Sequence, residues 1–330
     1  HGKTTTSSIL SHILYENNIS FTSFIGGISE NYDSNLLQNG NDIILVEADE
    51  FDRSFHTLFP NIACVTSVDP DHLDIYNSKE KLDSAFTQFV DNIKSKGVLF
   101  SNEKTFLGGI SYGFSSKCEY FISNYSNSKS SSFFNINYNG ISVDSVKFNM
   151  PGKHNALNAL AAFAIGKELN IDDKSIINSL STFLGVKRRF SYALRSPKII
   201  IDDYAHHPSE IKAVYETVKD LYPNKTNTAI FQPHLYSRTR DFIDEFAEIL
   251  SKFDENTTAY ITVVGEKDEN RLGGKYFRKL GNNTPTEPYK DAGYVFVSPS
   301  QPNLDFFCLE ILGTLGIFAR AGNLASGTGI

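Results

Sequence analysis

The fold class of this chain follows from NDIILVEADE, residues 41–50. Four apolar residues lead directly into three carboxylates. This pattern is typical of a buried parallel strand that delivers acidic side chains to the C-terminal edge of its sheet. The next strand pattern, NIACVTSVDPDHLD at residues 61–74, repeats the plan, and an amphipathic helix pattern follows at residues 79–94. The alternation predicts a parallel α/β sheet whose ligand site lies at the C-terminal ends of its strands.

On the N-terminal side, residues 4–17 have apolar positions at helical spacing, and the strand-like FTSFIGG follows at residues 21–27. On the C-terminal side, KGVLFSN at residues 96–102 is another strand pattern. Residues 108–150 alternate polar and aromatic side chains with little helical signal, which predicts a β meander. A helix is predicted after the Pro-Gly turn at residue 151.

A second α/β unit begins near residue 195, because two strand-then-helix patterns follow one another between residues 198 and 253. We therefore predict two domains, residues 1–192 and residues 193–330. The first is a P-loop-type parallel-sheet domain and the second is a Rossmann-like α/β domain. Residues 254–330 are atypical, since ten of the 22 glycines of the chain fall there.

The composition narrows the class of protein. A length of 330 residues with 40% hydrophobic and 21% charged residues suits about two globular domains. A net charge of −7 argues against a dedicated nucleic-acid binder. Three widely spaced cysteines indicate a reducing, cytoplasmic compartment and neither a disulfide framework nor a zinc site. We expect no membrane association, because no apolar stretch approaches a membrane span. Since residue 1 is His, we also expect the natural N-terminus to lie upstream.

Three motifs in the first half carry candidate phosphate and metal chemistry. In GKTT, the backbone around Gly2 and the Lys3 side chain would hold phosphates and Thr4 would hold Mg²⁺, although a chance Gly-Lys-Thr is the alternative. Glu47, at the end of its strand, is either a metal-binding carboxylate or part of a solvated acidic turn. His72 follows the next strand and is either a second metal ligand or a structural hydrogen-bonding residue.

Polar clusters also follow the later patterns. KHNALN places His154, Asn155 and Asn158 on the first turn of a helix, where Asn side chains can pair with adenine or serve as caps. KRRF at residues 187–190 is either a phosphate-binding cluster or a solvated basic face. Two successive strand ends, IDDYAHHP and QPHLYSRTRD, carry His, Asp and Arg side chains that resemble the wall of a site.

Taken in order, seven motifs resemble those of the Mur ligases over residues 1 to about 253: GKTTT, EADE, DPDHLD, PGKHNALNA, GVKRRF, DDYAHHPSE and QPHLYSRTRD. The resemblance implies an ATP-dependent amide ligase of peptidoglycan synthesis. Among the activities of the family, the motifs are most similar to those of the ligases that join L-alanine to UDP-N-acetylmuramate through an acyl phosphate.

The resemblance also implies the residues that serve ATP and its magnesium ion. The catalytic set would be Lys3, Glu47, His72 and Arg189, and the metal ligands would be Thr4, Glu47 and His72. The ATP-binding set would be Gly2, Lys3, Thr4, Thr5, His154, Asn155, Asn158, Arg189 and Asp203. Within that set, Arg189 would contact phosphate and Asp203 the ribose.

On the substrate side, the resemblance implies that Gly26 and Gly27 allow close approach of the UDP-sugar. His206, His234 and Arg238 would line the amino-acid side, where a cation is needed for the carboxylate of L-alanine. Many relatives carry Arg where this chain has Leu235, so one cation that would bind the carboxylate of L-alanine is missing at this position.

The family also has an N-terminal domain that grips uridine diphosphate and a first half of the phosphate loop, and this sequence includes neither. We therefore expect little ligase activity from these residues alone. Two alternatives remain open: another Mur-type ligase, which recycles muropeptides or adds glutamate, and a fragment that binds nucleotide without catalysis. Residues 254–330 are either a frame-altered end or a divergent extension.

Overall fold

The computed structural model describes residues 1–69, 73–76, 78–231, 236–254, 260–261 and 292–297. The predicted fold class is confirmed, because parallel strands alternate with helices in two α/β units. No helix in these ranges is both long and apolar enough to cross a bilayer.

The chain opens with α1 (Lys3–Glu16), which packs on a three-stranded sheet of order β2 (Ser34–Gln38), β1 (Phe21–Ser29), β3 (Ile43–Val46). Strand β1 pairs in parallel with β3 and antiparallel with β2. Glu47, which follows β3, therefore lies at the same end of the sheet as the second half of β1.

A six-stranded sheet follows in sequential order: β4 (Ile62–Val65), β5 (Val98–Asn102), β6 (Ile110–Gly113), β7 (Tyr120–Ser128), β8 (Ser131–Tyr138) and β9 (Ile141–Phe148). Strands β4 to β7 are parallel, and β7 to β9 form an antiparallel meander. The predicted meander is therefore present, with its first strand joined to the parallel part. A 3₁₀ helix (Phe51–Thr57), α2 (Leu73–Tyr76) and α3 (Lys79–Asp91) lie between β3 and β5 in the sequence.

Strands β3 and β4 follow one another in the sequence but do not pair with each other in the described residues. Strand β3 is an edge of the three-stranded sheet, and β4 is an edge of the six-stranded sheet. The two edges are nevertheless bridged at their C-terminal ends, because the start of the chain contacts the residue that follows each of them.

Two helices complete the first unit: α4 (Lys153–Glu168), which is mostly buried, and α5 (Asp173–Thr182), which buries one side. Helix α4 packs against α1, and α4 and α5 share one apolar core with the two sheets. The first turn of α4 is thereby held close to the first turn of α1.

The second unit contains a five-stranded sheet of order β10, β11, β14, β12, β13. These strands are β10 (Ser191–Leu194), β11 (Ile200–Asp203), β12 (Thr226–Phe231), β13 (Tyr260–Ile261) and β14 (Ala292–Val297). All pairs are parallel except β10 with β11. Helices α6 (Pro208–Leu221), α7 (Tyr236–Asp241) and α8 (Ile243–Leu250) accompany the sheet. The atypical C-terminal region thus supplies two strands to this sheet.

Candidate active site

The first four residues lie between the C-terminal ends of β3 and β4. The Thr4 hydroxyl donates a hydrogen bond to Glu47 Oε1 at 2.8 Å, just past β3. The Thr66 hydroxyl, just past β4, donates to the backbone carbonyl of His1 at 2.5 Å. Helix α1 begins directly afterwards, at Lys3, with Gly2 in the left-handed region at φ 81°. The backbone N–H groups of the first turn of α1 therefore open at the sheet edge where the acidic side chains lie. Because a helix N-terminus attracts anions, these N–H groups are a favourable place for phosphate.

Glu47 is held by a glycine as well as by the hydroxyl of Thr4. The backbone N–H of Gly26 donates to Glu47 Oε2 at 2.8 Å. A Cβ atom on Gly26 would lie 2.4 Å from that same oxygen, so only glycine allows this approach. Gly27 lies against the methyl group of Thr4. The glycine pair thus contacts the candidate metal ligands directly.

Lys3 is engaged by the acidic turn after β3. Its ammonium group donates to Asp49 Oδ1 at 2.9 Å and to Glu50 Oε2. Burial lowers the pKa of Lys3, but the charges of Glu50 and Asp49 outweigh it and raise the pKa overall. Lys3 is therefore a permanent cation at the start of α1, and a bound phosphate would compete with these two carboxylates for it.

The donor set suits a magnesium ion. A hydroxyl and a carboxylate, from Thr4 and Glu47, are hard oxygen ligands of the kind that Mg²⁺ takes together with water and phosphate. Within the described ranges, no three His, Cys, Asp or Glu side chains form a complete metal cage. A site of this kind depends on oxygens from the nucleotide and the solvent. His72, the third predicted ligand, lies outside the described residues.

A cavity of about 280 Å³ lies between the two α/β units. It is lined by the first residues of the chain (1–5, the candidate phosphate loop), the start of α4, the segment before β10, the end of β11 and the start of α6. Seven predicted nucleotide-binding residues line it: Gly2, Thr5, His154, Asn155, Asn158, Arg189 and Asp203. The structure therefore brings together residues as far apart in the sequence as Gly2 and Asp203.

Asn155 and Asn158, on the first turns of α4, are both buried. The Asn155 amide donates to the carbonyl of Pro151 at 2.8 Å, and Asn158 Oδ1 accepts from the Thr6 hydroxyl at 3.3 Å. A Cβ on Gly2 would lie 2.6 Å from Asn158 Oδ1. Asn158 therefore packs directly on the phosphate loop, and Asn155 is part of the turn that starts α4.

His154 faces the second unit from the same turn. Burial lowers the pKa of His154 to about 4, with the charge of Arg189 acting in the same direction and that of Glu210 opposing it. The imidazole is therefore neutral near pH 7. It can act as a hydrogen-bonding partner for a ligand in the cavity but not as a cation.

Arg189 and Asp203 form the opposite wall of the cavity. The Arg189 guanidinium lies 5.0 Å from the ring centroid of Tyr204, within cation–π range. Asp203 accepts hydrogen bonds from the backbone amides of Phe190 at 2.8 Å and Ala205 at 2.7 Å. Burial raises the pKa of Asp203 to about 6, although Arg189 and these amides favour the charged form. Asp203 thus fixes the two backbone segments that form this wall, one at Phe190 and the other at Ala205.

The predicted amino-acid side is only partly described. His206 precedes α6, and its Nδ1 lies 2.8 Å from the carbonyl oxygen of Tyr204. Arg238 is buried on α7. Among the described residues that line the cavity, neither of these two is present. His234 and Leu235 lie outside the described residues.

Glu210 is a site residue that sequence reasoning missed. From the first turn of α6, its Oε1 lies 2.8 Å from His1 Nδ1 on the other unit, and its Oε2 accepts from the backbone of His206 at 2.9 Å. Burial alone would raise the pKa of Glu210, but His1 and His206 hold it well below its usual range. The available signal was the capping pattern HPSE at residues 207–210, which indicates a helix start but not a contact across domains.

Further residues line the cavity although no motif indicated them. They lie within or after β4, β5 and β6: Thr66, Asn102, Lys104, Thr105 and Tyr112. Asn102 is the last residue of β5 and Lys104 lies two residues beyond it, so the strand-end rule could have found them.

Comparison with known proteins identifies relatives over most of the chain. The model of the Mur ligase middle domain matches residues 1–166, and that of the Mur ligase, glutamate ligase domain, matches residues 188–290. The chain is 50% identical over 256 residues to the UDP-N-acetylmuramate–L-alanine ligase of Flavobacterium psychrophilum, and 45% identical over 256 residues to that of Christiangramia forsetii. Each alignment covers 77% of this chain and 57% of the relative. The chain therefore spans little more than half the length of these relatives.

Solved structures of Mur ligases share the fold of this chain. The UDP-N-acetylmuramate–alanine ligase of Thermotoga maritima is 26% identical, with a TM-score of 0.70 over 94% of this chain and 74% of that chain. The MurF ligase of Thermotoga maritima, solved in complex with ADP, has a TM-score of 0.72 over 96% of this chain and 78% of that chain. At 17% identity the latter comparison shows the fold alone.

Proposed function

Because this chain belongs to the Mur ligase family, we propose that it carries the two ATP-handling domains of a ligase that joins L-alanine to UDP-N-acetylmuramate. The observation that carries the proposal is the cavity in which the phosphate loop faces Arg189 across the two units. The identity of up to 50% to ligases named for this reaction supports the choice of substrates.

The proposed reaction has two steps. An oxygen of the lactyl carboxylate attacks the γ-phosphorus of ATP, and ADP leaves. The amine of L-alanine then attacks the resulting acyl phosphate, the C–O bond to phosphate breaks, and the amide forms with loss of a proton. Phosphoryl transfer of this kind depends on positioning and on neutralisation of charge more than on covalent help from the protein.

The residues of the cleft suit these requirements. Lys3 and the amides of the first turn of α1 would hold the phosphates, and Arg189 would neutralise charge from the opposite wall. Thr4 and Glu47 would hold a magnesium ion, which supplies charge neutralisation when it is bound. Asn155, Asn158 and neutral His154 would surround the nucleoside, and Asp203 would lie near the ribose.

The proposal also includes a site for L-alanine outside the cavity. We place the carboxylate of L-alanine near Arg238, with His206 and His234 as neighbours. The proposed catalytic role of His72 belongs to the same set. The proposed domain division, residues 1–192 and 193–330, puts Arg189 at the junction between the units.

The test is phosphate release from ATP by the full-length protein, measured with UDP-N-acetylmuramate and a panel of amino acids. We expect release that requires both the nucleotide sugar and L-alanine. Activity with a muropeptide or with glutamate in place of L-alanine would assign the protein to another branch of the family. ATP binding without release under any of these conditions would leave a nucleotide-binding module.

A further inference from the structure

A short segment joins the two units and carries Arg189 into the cavity. We call residues 184–190 the interdomain strap. Its backbone is fastened to the end of β1: the amide of Glu30 donates to the carbonyl of Gly185 at 2.9 Å, and the amide of Lys187 donates to that of Ile28 at 2.9 Å. Ser29 and Val186 form an isolated antiparallel bridge between them. The strap therefore behaves as a short extra strand beside β1.

Asn31 closes this connection with both ends of its side chain. Its amide nitrogen donates to the carbonyl of Thr182 at 3.0 Å, and its amide oxygen accepts from the backbone N–H of Leu184 at 2.7 Å. Thr182 is the last residue of α5, where helix carbonyls lack partners within the helix. One side chain thus fixes both the end of α5 and the first residue of the strap.

The far end of the strap is fixed to the second unit. The amide of Tyr204 donates to the carbonyl of Arg188 at 2.7 Å, and the amide of Phe190 donates to Asp203 at 2.8 Å. Arg189, between these two anchors, has its guanidinium over the Tyr204 ring. The position of Arg189 therefore depends on the anchors at the two ends of the strap.

The same strand also contacts the candidate magnesium ligands. A Cβ on Gly27 would lie 2.9 Å from both the Thr4 methyl group and the Val186 side chain. Gly26 holds Glu47 one residue earlier. Within six residues, β1 and its following turn therefore touch the metal ligands and fasten the strap, which links the two walls of the cavity mechanically.

We infer that Asn31 is a positioning residue for Arg189, which sets this arginine in register with the phosphate loop. The inference rests on the proposed function, since it names a residue that acts on the same site. The primary amide of Asn31 donates to the Thr182 carbonyl through its nitrogen and accepts from the Leu184 amide through its oxygen. Removing it frees the start of the strap while β1 and its contacts with Thr4 and Glu47 remain.

The test uses the full-length ligase with Asn31→Ala. Because small displacements of positioned groups cost up to about a hundredfold in rate, we expect kcat to fall by about tenfold to a hundredfold. The matched control is Asn39→Ala, which removes an exposed side-chain amide that donates to the Ile19 carbonyl at 3.1 Å on the same sheet. We expect the control to stay within about twofold of wild type, since exposed substitutions away from such features have small effects.

A double-mutant cycle separates an effect of Asn31 on the position of Arg189 from a general destabilisation of the protein. If Asn31 acts through Arg189, the variant Asn31→Ala with Arg189→Ala is no slower than Arg189→Ala alone. Multiplicative losses would overturn the inference, as would wild-type kcat in Asn31→Ala. Asn31→Asp keeps the acceptor for Leu184 and loses the donor to Thr182, so it gives an intermediate loss and serves if the alanine variant does not fold.

Calorimetric titration with ATP gives a second readout that needs no turnover. Asn31→Ala and Arg189→Ala each weaken ATP binding, and their effects on affinity are not additive. Additive effects on affinity would contradict the inference even if the ligase reaction were absent. A wild-type protein without ligase activity would instead contradict the proposed function, so the two failures are distinguishable.

Discussion

At the scale of single residues, Glu47 shows how the site is built. One of its carboxylate oxygens accepts from the Thr4 hydroxyl and the other from the backbone of Gly26. A carboxylate fixed at both oxygens keeps its orientation without a metal ion, which lowers the entropic cost of binding one. The carboxylate beside it is therefore sufficient to explain the glycine at position 26, for which the family resemblance implied a role toward the UDP-sugar.

Gly26→Ala tests this reading. The added methyl group would overlap Glu47 and displace its carboxylate. We expect kcat of the full-length protein for the proposed reaction to fall by about a hundredfold, as for other misplaced catalytic groups, and the magnesium concentration for half-maximal rate to rise. The matched control is Ser23→Ala on the same strand, which removes a buried hydroxyl without a hydrogen-bond partner among the described residues. A Gly26→Ala enzyme with wild-type magnesium dependence would rule this explanation out.

His154 provides a test at the same scale through pH. Its pKa is about 4 in the folded protein and about 6.5 in an unfolded chain. Between these values the unfolded chain binds more protons, so this residue makes the free energy of unfolding increase as pH rises through the window. It adds up to about 1.4 kcal/mol per pH unit.

His154→Phe removes this contribution while it keeps a ring at the position. We expect the free energy of unfolding of the variant, from urea titrations between pH 5 and 6.5, to rise less steeply with pH than that of wild type. Equal slopes for the two proteins would show that His154 titrates normally.

At the scale of secondary-structure elements, the start of α6 connects the two units. His207 caps the helix, and Glu210 completes a capping box while it reaches His1 on the phosphate loop. A helix N-terminus stabilises a carboxylate, and the histidines add to this effect. The element therefore contributes both to the stability of the second unit and to the closed cavity.

Glu210→Ala measures that contribution. Loss of a capping-box partner and of a mostly buried charge contact is expected to lower the free energy of unfolding by roughly 1–3 kcal/mol. The control Glu216→Ala, on the exposed face of the same helix, should change it by less than about 0.5 kcal/mol. Chemical denaturation of both variants near pH 7 makes the comparison, and equal effects would mean that the contact with His1 contributes nothing.

The elements also show what the sequence could and could not predict. Periodicity predicted α1, α3 and most strands because each is apolar on one face or buried on both, and the Pro-Gly turn at residue 151 predicted the start of α4. The separation of β3 and β4 into different sheets was not predictable, since strand pairing depends on tertiary geometry. Asn31 carries no motif at all, and its two bonds to residues about 150 positions away exist only in the folded chain.

At the scale of the whole molecule, the cavity is a product of two units. The phosphate loop and α4 come from the first unit, and Arg189, Asp203 and Glu210 come from the strap and the second. Away from the cavity, Asn127 donates to Asp220 at 2.5 Å and adds a contact between the units. The motifs predicted seven of the residues that line the cavity, among them Gly2, Asn158 and Asp203. They did not predict Glu210, whose role depends on how the units face each other.

An isotope-transfer experiment on the full-length protein follows the proposed acyl phosphate itself. UDP-N-acetylmuramate labelled with ¹⁸O in its lactyl carboxylate is incubated with ATP, magnesium and L-alanine, and the products are analysed by mass spectrometry. We expect UDP-N-acetylmuramoyl-L-alanine together with phosphate that carries one carboxylate oxygen, and loss of both products in Lys3→Ala. Absence of the amide product, or amide formed with unlabelled phosphate, would contradict the proposed reaction.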